Sequence, residues 1–207
     1  MKNSGLSLCI GIVAAVTGLS NHLEAQVLNG DFSAGLANWT VLQLPDGLVV
    51  GGSLTSIDID GRPLGLTVAY YCQPGINGNE RALQQTVFLT EGITYDFGAN
   101  LAEESGSNNG DGGTISVYLD STLVTSYAFG DVPWHVKEYA NLSGTYTPAT
   151  TGIETLSITF TRPWWPAPDT PYDYIDNIQL TAVPEPSCWV LALAGVCIVA
   201  INAKQNR

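Results

Sequence analysis

Between Val27 and Val183, apolar residues recur at every second position over short stretches bounded by Gly, Pro, Asn and Asp. The runs are Ile57/Ile59, Leu66/Val68/Tyr70, Leu83/Gln85/Val87/Leu89, Tyr95/Phe97/Ala99/Leu101, Ile115/Val117/Leu119, Leu156/Ile158/Phe160 and Ile178/Leu180, with Tyr139 in a further stretch. A side-chain period of two is the mark of a strand with one face in a core and one in water. No amphipathic helix interrupts the series, and the alternate positions carry Thr, Ser, Gln or Asp. About eight or nine strands at this spacing predict an all-β fold, an antiparallel two-sheet sandwich. The intervening Gly, Asn and Asp suit turns that need positive φ.

The two ends break the pattern. Lys2 precedes an apolar stretch, Leu6–Leu19, that closes in small residues, which is the plan of a secretory signal peptide. The expected division is signal peptide 1–25, β-sandwich domain 26–183 and a C-terminal segment 184–207. In that segment Pro184-Glu185-Pro186 forms a stiff, extended stem, because each proline fixes its own φ and restricts its predecessor. The uncharged run Cys188–Ile201 follows; as a helix it would measure roughly 21 Å, or somewhat more if extended to about 188–203 as a transmembrane helix. Lys204 and Arg207 close the chain and predict a cytoplasmic C-terminus.

Charge narrows the function classes. The chain carries a net charge of −12, and of its nineteen acids only Glu24 and Glu185 fall outside the predicted domain. Such a surface repels nucleic acid and anionic lipid, so neither is expected as a partner. Cations and neutral polyhydroxylated partners remain. Of four cysteines, Cys9, Cys188 and Cys197 belong to the terminal segments, and Cys72 stands alone in the domain. An internal disulfide is thereby excluded, and no zinc spacing is present.

The C-terminal tripartite arrangement resembles the PEP-CTERM sorting signal of exported bacterial proteins, through Pro184, Glu185 and Pro186, the apolar segment, and the basic Lys204 and Arg207. That resemblance implies recognition and processing by an exosortase, with membrane association through the C-terminal helix before processing. The alternative is an ordinary single-pass anchor after a proline-rich linker. Within the domain, Asn29-Gly30-Asp31-Phe32-Ser33-Ala34-Gly35-Leu36-Ala37-Asn38-Trp39, Leu83–Val87 with Gly92–Tyr95, and Tyr174–Leu180 resemble galactose-binding-like jelly rolls of the carbohydrate-binding-module type. This implies a jelly roll and a structural Ca²⁺ between the opening loop and the last strand, at Asn29, Asp31, Ser33 and Asp176.

Candidate ligand contacts are aromatic. Trp164 and Trp165 lie between prolines, followed by Tyr172, where exposed rings would stack on sugar faces. Tyr70, Tyr71, Tyr127 and Trp134 are further candidates, and Trp39 is expected in the core. The segment Glu103–Gly113 reads as a mobile, solvated hairpin loop. No Gly-x-Ser-x-Gly elbow, Cys/His pair or phosphate-cradling loop occurs. The expected function is thus an exported, non-catalytic cell-envelope or biofilm-matrix protein that associates with exopolysaccharide. A purely structural matrix protein is the alternative, and a paired-carboxylate glycosidase is the remote one.

Overall fold

The computed structural model describes residues 27–43, 52–59, 66–72, 75–76, 81–104, 110–162 and 171–183. The sorting motif Pro184–Pro186, the basic Lys204 and Arg207, the signal segment and the Trp164–Trp165 pair lie outside them. Among the described residues no helix is long and apolar enough to cross a membrane.

Every regular element among these residues is a strand: β1 (Thr40–Gln43), β2 (Ser53–Asp58), β3 (Leu66–Cys72), β4 (Gly75–Ile76), β5 (Arg81–Leu89), β6 (Tyr95–Glu104), β7 (Gly110–Asp111), β8 (Thr114–Leu119), β9 (Thr122–Ala128), β10 (Asp131–Val132), β11 (Lys137–Tyr146), β12 (Gly152–Arg162) and β13 (Tyr172–Ala182). One sheet has the order β1-β5-β12-β8-β9 with β4 attached to β12; the other has the order β11-β6-β13-β3-β2. All pairings within the two large sheets are antiparallel except β4 with β12. The expected two-sheet sandwich is what forms.

Alternation decides which side chains meet. Leu83, Val87 and Leu89 of β5, Leu156, Ile158 and Phe160 of β12, and Ile115, Val117 and Leu119 of β8 point inward from the first sheet. Tyr70, Tyr95, Phe97, Leu101, Leu142, Ile175, Ile178 and Leu180 meet them from the second. Each such side chain contributes about 1.5–3 kcal/mol by leaving water. Tyr70 therefore belongs to the core and is no ligand contact; its ring packs 5.6 Å from that of Phe160 and 6.3 Å from that of Phe32. Trp39 is buried as expected, 5.8 Å from Phe32, with its indole N–H donating to the Asn29 carbonyl.

Two expectations need correction. Ile57 and Ile59 do not enter this core. They form a second cluster with Ala69, Ala102 and Tyr174, on the face of the five-stranded sheet turned away from the other sheet. Alternation in β2 marks two faces but not which of them meets the partner sheet. Glu103 is no part of a solvated loop either. It continues the inward series Phe97, Ala99, Leu101 of β6 and is fully buried. Asp173, its direct partner on β13, and Arg162 on β12 are buried too. A Cβ on Gly112 would run into the Glu103 carboxylate, so the glycine allows close approach there.

Candidate functional site: a hydroxyl-lined trough on the first sheet

The strand period that fills the core leaves the middle of the first sheet's other face polar, with Leu42, Phe88, Leu123 and Ile153 exposed around it. On β12, Thr155, Ser157, Thr159 and Thr161 alternate with the inward Leu156, Ile158 and Phe160. Ser157 is the register partner of Gln84 on β5 and of Tyr118 on β8; Thr159 is that of Ala82 and Ser116. Side chains of register partners share a face, so a row of Gln84, Ser157 and Tyr118 crosses three strands. Thr40 of β1 extends it at Gln84, and Leu123 of β9 extends it at Tyr118. Together Gln84, Tyr118, Asp120, Ser121, Thr155, Ser157 and Thr159 line an open trough of about 480 Å³. That volume falls within the range of about 300–1,000 Å³ usual for small-molecule sites.

Local bonding fixes its walls. Gln84 Nε2 donates to Ser157 Oγ at 3.0 Å, which orients the amide across the floor. At one end Asp120, with φ 49 in the β8–β9 turn, accepts from the Thr155 N–H at 2.8 Å, and its own N–H donates to the Thr155 carbonyl at 2.9 Å. Beyond it, Phe88 and Ile153 stand side by side as register partners, the latter 73% exposed. Behind the wall, burial raises the Glu154 carboxyl above the usual carboxylate range; a hydrogen bond from Tyr146 opposes the shift and the Asp120 charge adds to it. Burial, aided by Glu154, raises the Tyr146 phenol as well.

The lining is thus hydroxyls, one amide and one phenol, with a single carboxylate and no cationic side chain. Each hydroxyl both donates and accepts, which matches a ligand whose groups do the same. One at a time, Thr and Ser on the solvent face of a strand carry no signal in the sequence. Only the register across β5, β12 and β8 assembles them.

Of the residues expected at a ligand site, Tyr172 opens β13 on the opposite sheet, packed against Tyr71 at 5.8 Å, and Tyr71 stacks on Tyr174 at 5.7 Å. Tyr127 sits edge-on to Phe129 on β9. Trp134 stacks over His135 in an exposed turn closed by Val136 N–H to Pro133 carbonyl. None of these lines the trough.

The four residues expected around Ca²⁺ play different parts. The opening loop docks on β13 where Ile178 N–H donates to the Gly30 carbonyl, next to the irregularity between Asp176 and Gln179. Asp176 is fully buried there. Asn29, with φ 56, is the loop's internal brace: Nδ2 donates to the carbonyls of Gly35 and Ala37, and Oδ1 accepts from Ala34. Asp31 faces solvent and accepts from both the N–H and the hydroxyl of Ser33, which hold its carboxyl below the usual range. Both ends of the Asn29 amide are therefore engaged within the loop. Among the described residues no group of three or more His, Cys, Asp and Glu side chains is assembled for a metal. A cation here would depend on Asp176 and main-chain carbonyls.

No protein-family model and no curated protein matches this chain. Solved structures do. A Stig cyclase, Fisc from Fischerella sp. TAU, aligns over 78% of this chain and 98% of its own at 13% identity and a TM-score of 0.50. The carbohydrate-binding module TmCBM61, solved with β-1,4-galactotriose, aligns over 77% and 99% at 13% identity and a TM-score of 0.48. The CBM22-1–GH10 portion of Clostridium thermocellum xylanase 10B, solved with xylohexaose, aligns over 78% of this chain and 28% of its own at 19% identity and a TM-score of 0.46. These likenesses concern the fold alone.

Proposed function

We infer that this protein is an exported, non-catalytic β-sandwich that associates with neutral polysaccharide in the cell envelope or surrounding matrix. The trough carries the reading: it is open, about 480 Å³, and lined almost wholly by groups that exchange hydrogen bonds with sugar hydroxyls. Its one carboxylate, Asp120, has no second acid beside it in the lining, which favours binding over paired-carboxylate hydrolysis. The net charge of −12 favours a neutral glycan over an anionic one. Delivery rests on the sequence: the signal-like start and the Pro184–Pro186 segment support export and exosortase processing.

Affinity electrophoresis in gels containing neutral polysaccharides tests the binding. Retardation by at least one of them is expected, and Gln84→Ala/Tyr118→Ala should weaken it by about tenfold or more. A wild-type mobility unaffected by every polysaccharide would replace this reading with that of a structural matrix protein. Intact mass tests the delivery: exported protein should lack Lys204 and Arg207, and their retention refutes processing. Calcium is a subordinate proposal, built on Asp176 beside the docked loop. A chelator should then lower the melting temperature, and an unchanged temperature removes the ion.

A further inference from the structure

The outer face of the five-stranded sheet carries a feature that the trough does not use. On β13 the register slips between Asp176 and Gln179, and Asn177 takes up the slack with φ 53. Its Nδ2 donates to Asn100 Oδ1 at 2.9 Å, and Asn100 Nδ2 donates to Asn141 Oδ1 at 2.7 Å. Three amides on three adjacent strands thus form one directional relay across the sheet. Asn141 serves the relay as acceptor only, and it is exposed, so its own N–H groups point to solvent at the open end. In one direction the next row is Tyr139, Ala102 and Tyr174, with Tyr139 42% exposed; in the other it is Ser143, Gly98 and Gln179. A Cβ on Gly98 would meet nothing within 4 Å, so the floor between Ser143 and Gln179 is open and flat.

The geometry points to a second saccharide-binding face, centred on Asn141, Asn100 and Asn177 and flanked by Tyr139. It rests on the glycan reading of the trough and extends it from one ligand strand to two. The occupant is a neutral polyol for the reason that applies at the trough. The exposed groups of the relay and its floor are amides, a hydroxyl and a glycine, the flanking group is a phenol, and the row's one carboxylate, Asp176 opposite Asn100, is fully buried; the chain's net charge of −12 opposes anions. Polarised amides present strengthened donors at the end of such a chain. A non-glycine residue held at positive φ in a sheet irregularity is a backbone cost of the kind retained where a side chain must be aimed. The two faces lie on opposite sides of a two-layer sandwich whose sheets pack about 10 Å apart. One molecule could therefore bridge two polysaccharide strands, which turns a binding domain into a cross-linker.

Calorimetric titration of the full chain tests this, using the best-retained member of a panel of neutral β-1,4-linked xylo-, gluco- and galacto-oligosaccharides. The expected stoichiometry is two oligosaccharides per chain. Ser157→Arg, which fills the trough, and Gly98→Leu with Asn141→Ala, which covers and shortens the relay face, should each reduce it to one. Melting temperatures close to wild type certify both variants as folded. A single site that is lost in Ser157→Arg and unchanged in Gly98→Leu/Asn141→Ala overturns the second face and leaves the trough standing. A single site with the reverse sensitivity keeps the relay as a saccharide site, refutes the trough and ends the cross-linking idea. Absence of binding to the whole panel refutes both.

Discussion

Gln85 shows how one residue ties sequence to fold. It lies in the inward series Leu83, Gln85, Val87, Leu89, where an apolar side chain is the ordinary choice, yet it is buried. Its Oε1 accepts from the Leu28 N–H, and its Nε2 donates to the carbonyls of Leu28 and Asn38. The amide thereby clamps both ends of the opening loop onto β5. Gln85→Leu keeps the volume but abandons three main-chain groups, and should cost about 2–3 kcal/mol in denaturant unfolding. Glu154 gives a prediction of opposite sign. Burial raises its folded pKa above the unfolded one, so both states are protonated at low pH and no stability is lost there. As pH rises through the carboxylate range, the unfolded chain releases its proton first and stability falls. Glu154→Gln should therefore raise the melting temperature at pH 7 and leave it unchanged near pH 3, as a pair of thermal scans would show.

At the scale of elements, the seam between opening loop and β13 is the most demanding. Gly30 sits so close to Ile178 that a Cβ would strike the Ile178 carbonyl, a main-chain atom with little freedom to retreat. Gly30→Ala should therefore destabilise the domain by about 2 kcal/mol or more and detach the loop, visible as faster hydrogen exchange at Phe32 and Trp39. The loop resemblance points to two elements that do meet, through Gly30 of the opening loop and Ile178 of the Tyr174–Leu180 stretch. It did not reveal that Asn29 spends its amide bracing the loop. That depends on the path of the chain through Gly35 and Ala37, which no spacing rule encodes.

For the whole molecule, the two sheets divide labour: one outer face is a hydroxyl trough, the other carries the amide relay and a tyrosine cluster. β13 runs its eleven residues, about 36 Å, from the tyrosine cluster to Val183, whose N–H donates to the Thr94 carbonyl. Binding through neutral hydrogen bonds should be nearly indifferent to ionic strength, unlike attraction between charges. Mobility shifts measured at low and at roughly 0.5 M salt should agree, and a steep loss with salt would count against the trough as described.

What the sequence determined by itself is the fold class, since period-two alternation between turn residues leaves no other way to bury Leu156, Ile158, Phe160 and their counterparts. It also determined the sign of the net charge, −12. Tertiary structure alone decided the sites. Thr155, Ser157 and Thr159 become a trough only when β5 and β8 flank β12 in one register, and Asn100, Asn141 and Asn177 become a relay only across three strands distant in sequence. Alternation is local, so one strand's own residues display it. Register and sheet order are long-range, set by how all the inward faces pack at once.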